Sequence, residues 1–74
     1  MNADNLVTMA NQIGDFFETM PDRQQALTDI AGHLKRFWEP RMRRSLLKHV
    51  DEHAGAQVKD IVLEAVRLHR AAIL

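Results

Sequence analysis

The chain has 74 residues, ten basic and ten acidic, no cysteine, and a formal net charge of zero. One core of that size supplies about 3–5 kcal/mol at most, and without cysteine neither disulfides nor thiolate metal sites can reinforce it, so a partner surface is the expected supplement. Balanced charge and an apolar fraction of 46% exclude a disordered tail and argue against a generic nucleic-acid binder, which carries a clear positive excess.

The first helix is predicted from about Asp4 or Asn5, either of which can cap it, to Met20. Leu6, Met9, Ala10, Ile13, Phe16, Phe17 and Met20 recur at the three-and-four spacing of one helical stripe. Val7 points away from that stripe, and Gly14 sits mid-helix, where it would let another backbone come close. Pro21 ends the helix, because proline disfavours helical geometry in the residue before it.

Pro21 and Asp22 open a second helix to about Phe37, with Leu27, Ile30, Ala31, Leu34 and Phe37 as its stripe, extended by Trp38. Glu39-Pro40 then predicts a tight turn with Pro40 at the first position of the next helix, the alternative being a kinked continuous helix. The third helix, about Pro40 to His53, places Met42, Leu46, Leu47 and Val50 inward and closes at Ala54-Gly55. A fourth, about Gln57 to Ala72, aligns Val58, Ile61, Val62, Ala65, Leu68 and Ala72, with Leu63 and Leu74 pointing away. No strand-like alternation, internal repeat or low-complexity stretch is present. The expected fold is all-α: one domain over residues 1–74, a small compact bundle of four helices with short connections.

Two residues strain this pattern. Arg43 falls between Leu47 and Val50 on the helical wheel, either laying its stem along the core edge with its guanidinium in water or pairing with a carboxylate of this chain or a partner. His69 lies between Val58, Val62 and Ala65, and is read as a satisfied, partly buried histidine.

Charge is uneven along the chain. Residues 1–22 carry Asp4, Asp15, Glu18 and Asp22 with no base, whereas residues 35–48 carry Lys35, Arg36, Arg41, Arg43, Arg44 and Lys48 against Glu39 alone. That basic run reads as a solvated face or one meeting an acidic partner, rather than a phosphate track. The third helix spends its other side on apolar residues instead of base-reading ones.

Catalytic and metal chemistry find no foothold. His49 and His53 are one turn apart, but no HExxH exists, and a solvated pair is the favoured reading. Ser45 is the sole serine, Asp51-Glu52 sit at a helix end, and no glycine-rich phosphate loop occurs. No catalytic, cofactor-binding or metal residue is expected, and a lone enzyme of this size lacks room for the usual cleft. No apolar run approaches the ~18 residues of a membrane span, and the N-terminus lacks a signal-peptide layout, so a cytoplasmic protein is expected.

The runs MANQIGDFFETMPD (Met9 to Asp22) and IAGHLKRFWEPRMRRSLL (Ile30 to Leu47), with FWEPRMR as the most specific part, resemble the delta subunit of cytosolic, NAD-dependent, molybdenum-containing formate dehydrogenases. The resemblance covers roughly Asn5 to Val50 well and the last helix more loosely. It implies a non-catalytic accessory subunit that stabilises or helps mature a complex oxidising formate to carbon dioxide. Its partners would be the large subunits, in particular the molybdenum-bearing one, which together would hold the molybdenum cofactor, iron–sulfur clusters, FMN and NAD. No cysteine is available here to hold a cluster, in agreement with that role.

Aromatic and arginine residues dominate interface energetics. Trp38, Arg41, Arg43 and Arg44 are therefore the expected partner-binding patch, with Asn11, Gln12 and Asp15 as further candidates. The competing readings are a self-associating helical adaptor and, behind it, a small nucleic-acid-binding protein.

Overall fold

Helical periodicity becomes four helices and a short fifth in the computed structural model, which describes residues 2–74. They are α1 (Ala3–Phe17), α2 (Arg23–Phe37), α3 (Pro40–His53), α4 (Asp60–Leu68) and α5 (Arg70–Ile73). No strand occurs among the described residues. The expected all-α bundle with short connections is what forms.

Local chemistry sets the helix ends. Asn2, rather than Asp4 or Asn5, caps α1, its Oδ1 accepting from the Asp4 amide at 2.8 Å. The helix stops at Phe17, three residues short of Met20. There the Thr19 hydroxyl donates to the Phe16 carbonyl at 2.9 Å and the Met20 amide to that of Phe17 at 3.0 Å, turning the chain before Pro21. Asp22 caps α2, accepting from the Gln25 amide at 3.1 Å. Pro40 stands at the start of α3 after an extended Trp38 and Glu39, so the junction is a turn and not a kink.

The α3–α4 connection is longer than expected. Ala54, Gly55 and Gln57 all take positive φ, and α4 begins at Asp60 instead of Gln57. Leu63 packs over Gly55, so it sits half-buried against the core rather than turning away from it. The helix then breaks at His69 (φ −110°, ψ 25°) before α5. His69 is half-buried as expected but not satisfied, since its buried Nε2 has no hydrogen-bond partner.

The core is drawn from every helix. Ile30, Leu34, Ile61, Val62, Val66 and Ile73 are its largest fully enclosed side chains, each contributing about 1.5–3 kcal/mol by burial. Val66 and Ile73 were not in the predicted stripe, whereas Leu68 and Ala72, which were, face out. On α1 the error is of the same kind. Val7 is buried, while Met9 and Phe16 are 40% and 71% exposed. At the end of α2, Phe37 is 69% exposed and the neighbouring Trp38 is buried, because the extended backbone at Trp38 swings its indole inward.

Gly14 explains the shift on α1. A Cβ there would stand 2.7 Å from Val62 Cγ2 and 3.2 Å from Ile61 Cγ2, so the close approach is to α4 within this chain. Gly14→Ala gains ~1 kcal/mol of helix propensity but overpacks this crossing by ~1–3 kcal/mol. The expected net result is a destabilisation of roughly 1 kcal/mol in urea unfolding. An unchanged or higher midpoint would show that α1 and α4 can part freely.

Candidate functional site

The α2–α3 corner carries the predicted arginine patch, divided by depth. Trp38 is 5% exposed and Arg43 8%, whereas Arg41 and Arg44 lie on the surface. The stem of Arg43 lies along the core edge, as one reading expects, but its guanidinium is held rather than free: Nη1 donates to the Lys35 carbonyl at 2.6 Å, Nε is buried without a partner, and no carboxylate pairs with it among the described residues. The physical reason is the end of α2, whose last carbonyls lack helical donors and carry the negative end of the helix dipole. Arg43 meets both needs from inside. The side chain is therefore part of the corner's support, with Trp38, beneath the exposed pair Arg41 and Arg44.

The secondary candidates separate likewise. Asn11 is engaged at both ends, its Nδ2 donating to the Gln57 carbonyl at 2.8 Å and its Oδ1 accepting from the Lys59 amide at 2.9 Å. It fixes the α3–α4 connection onto α1. Asp15 pairs with Lys59, which also reaches Glu18 at 2.9 Å. Gln12 is exposed.

The remaining ion pairs are Arg23–Glu64 at 3.1 Å and Arg70–Asp51, a two-pronged contact at 3.0 and 2.6 Å. Hydrogen bonding between partners raises the pKa of Lys59, Arg23 and Arg70 and lowers that of Asp51 and Glu64. All are surface pairs, worth little individually. Their distribution matters more than their strength. Among the described residues, no base of the run 35–48 enters an ion pair, and Lys35, Arg36, Arg41, Arg44 and Lys48 all stand exposed.

Beside this corner lies a feature the helical wheels did not disclose. A groove of about 360 Å³ opens between α1 and the end of α2. Met9, Ile13, Phe16 and Phe17 form one wall, His33 the other, Trp38 adds its indole, and Gln12 supplies the polar atoms of the α1 side. Among the described residues, no Asp, Glu, Lys or Arg lines it. Its aromatic rings run in series: Phe16 meets Phe17 edge-on at 5.0 Å, Phe17 meets His33 at 6.3 Å, and His33 meets Phe37 at 4.8 Å. Arg36 then lies 5.8 Å over the Phe37 ring.

A signal for this groove was present in the residue order. Adjacent residues on a helix lie 100° apart, and at the end of α1 this divides Phe16-Phe17, with Phe17 packed against the core and Phe16 turned out. Phe37-Trp38 are divided for a related reason, by the end of the helix between them.

A family model, that of the NADH-dependent formate dehydrogenase delta subunit FdsD, matches residues 5–66. The chain belongs to that family. No curated protein and no solved structure matches it. The delta-subunit match takes in the whole groove and the α2–α3 corner and ends within α4.

Other surfaces of this delta-subunit family member offer less. A wider cleft of about 650 Å³ between α2 and α4 is crossed by charged side chains, including Asp60, Glu64 and Arg67. His49 and His53 stack with centroids 4.9 Å apart, but His49 Nε2 donates to the Ala56 carbonyl at 3.1 Å, which ties that ring to the connection. No group of three or more His, Cys, Asp or Glu placed to hold a metal occurs among the described residues. With no cysteine in the chain, the residues here do not fit a thiolate-held iron–sulfur cluster. No helix among the described residues is long and apolar enough to cross a membrane.

Proposed function

We propose that this delta-subunit family member is a non-catalytic accessory subunit of a cytoplasmic formate dehydrogenase, docked on the large subunits and stabilising or helping mature them. The observation that carries this is the groove. Soluble chains seldom leave an aromatic side chain as open as Phe16 along a largely apolar groove, with an equally open Phe37 stacked on the groove's His33, unless another surface covers them. Arg36 lies over Phe37 next to the groove's His33, and arginine is the residue type that with aromatics anchors protein interfaces. Support also comes from the family, whose description is that of a subunit.

In this reading, formate oxidation belongs to the large subunits, which hold the molybdenum cofactor, iron–sulfur clusters, FMN and NAD. The molybdenum-bearing subunit is the docking partner. Arg41, Arg44 and Gln12 contribute directly to the contact, while Trp38 and Arg43 hold its shape from beneath and Asn11 and Asp15 hold α1 against the C-terminal half.

The test uses the purified native complex. A chain carrying Arg41→Ala and Arg44→Ala remains folded, since both side chains are exposed and without ion pairs. Its retention by the large subunits is expected to fall about tenfold, corresponding to ~1.4 kcal/mol of lost interface energy. Undiminished retention through a salt wash would exclude the arginine edge from the contact. Failure of the unaltered chain to co-purify would overturn the accessory role.

A further inference from the structure

Resting on the accessory-subunit reading, we infer that the α1–α2 groove receives a single amphipathic helix of a large subunit, apolar side down, with carboxylates where it meets the α2–α3 corner. Three observations specify this occupant. The lining is largely apolar, with Gln12 and His33 as its polar members and no Asp, Glu, Lys or Arg, which suits an aliphatic or aromatic face. Met9 and Phe16 lie seven residues apart on the helix, about 10 Å. That length matches two turns of a docked helix anchored at positions i, i+3 or i+4, and i+7.

The third observation is charge. Trp38, which lines the groove, lies inside the basic run, and Phe37, stacked on the lining residue His33, carries Arg36 over its ring. Neither Arg36 nor Lys35, Arg41 or Arg44 has a carboxylate partner among the described residues. The molecule's ion pairs engage Arg23, Lys59 and Arg70 instead. A helix bearing Asp or Glu at its corner-facing end satisfies these cations, and an approach in the opposite direction does not. Charge therefore sets the polarity of docking, while the apolar floor supplies the affinity.

A second copy of this chain is a poor occupant. Among the described residues, the exposed large apolar residues other than those of the groove and the adjoining Phe37 are Leu68 and Leu74, which stand on either side of the break at His69 and form no two-turn stripe.

The experiment places a photo-crosslinking benzoylphenylalanine at Phe16, and at Ala72 as control, in the full chain within the native complex. Separately, an Arg36→Lys variant is treated with carbodiimide, which joins the new amine to a carboxylate it touches. The expected result is a Phe16 adduct absent from the Ala72 control. Both crosslinks then map to one helical segment of a large subunit, with the acidic residue at or beside one end of it. Adducts on a second copy of this chain, on lipid or on nucleic acid would overturn the inference. So would the absence of any Phe16 adduct while the chain remains in the complex, or a carbodiimide link to an unrelated segment. Loss of the unaltered chain from the complex before crosslinking would overturn the accessory reading and this inference together.

Discussion

Trp38→Ala is expected to leave the isolated chain largely unfolded at room temperature. The indole is 5% exposed at the point where α2 stops and α3 begins, and it also lines the groove. Truncating a buried tryptophan to alanine costs about 3–5 kcal/mol, through lost burial and the cavity left behind. A single core of this size supplies about the same amount in total. The two quantities therefore cancel, and far-UV circular dichroism should show weak helix signal without a cooperative thermal transition. Trp38→Phe, which keeps an aromatic ring in the space, should fold with a lowered midpoint. A Trp38→Ala chain melting within a few degrees of the unaltered one would show that the corner is held by something else.

The second large effect is at Arg43. Arg43→Met keeps most of the apolar stem but removes the donor to the Lys35 carbonyl, leaving the last turn of α2 with an unmet acceptor. Hydrogen bonds to a charged group contribute ~1.5–3 kcal/mol, so urea unfolding should lose about 2 kcal/mol or slightly more. Arg43→Lys should fall between, since an ammonium can replace one donor but not the planar fork. Equal stability of the methionine variant would mean that water serves the carbonyl as well as the guanidinium does. The same geometry explains why Arg43 is a poor residue for testing association. Its loss is felt first by the fold, and only Arg41 and Arg44 report on the surface alone.

Much of the fold was legible in the residues. The α3 boundaries, the turn at Glu39-Pro40 and the opening of α2 at Asp22 follow from proline and aspartate chemistry acting within a few residues. Misreadings arose where a helix meets more than one neighbour. The stripe expected on α1 runs through Leu6, Met9, Ala10, Ile13, Phe16, Phe17 and Met20, yet the helix also packs against α4 at Gly14 and against the α3–α4 connection through Asn11. A glycine and an amide add nothing to a hydrophobic pattern, so the wheel was turned away from them and Val7 was placed outside. Phe37 was placed inside because its spacing from Leu34 continues the stripe. The extended backbone at Trp38 decides otherwise, and spacing alone does not report where a helix lets go. The arginine patch was found from residue types, but the division into exposed Arg41 and Arg44 over buried Arg43 needs the third dimension. The groove was missed because its most open residues look like core.

The crossing at Gly14 carries a consequence for recognition. Helix α4 packs against both α1 and α2 from behind, with Val62 and Ile61 wedged at the glycine. The opening on the front is thus gauged by residues on the far side that no docked helix would touch. Bulk added or removed at Val62 would be transmitted through α1 as a change in how wide the channel stands, so the selectivity of this surface is partly written in its back wall.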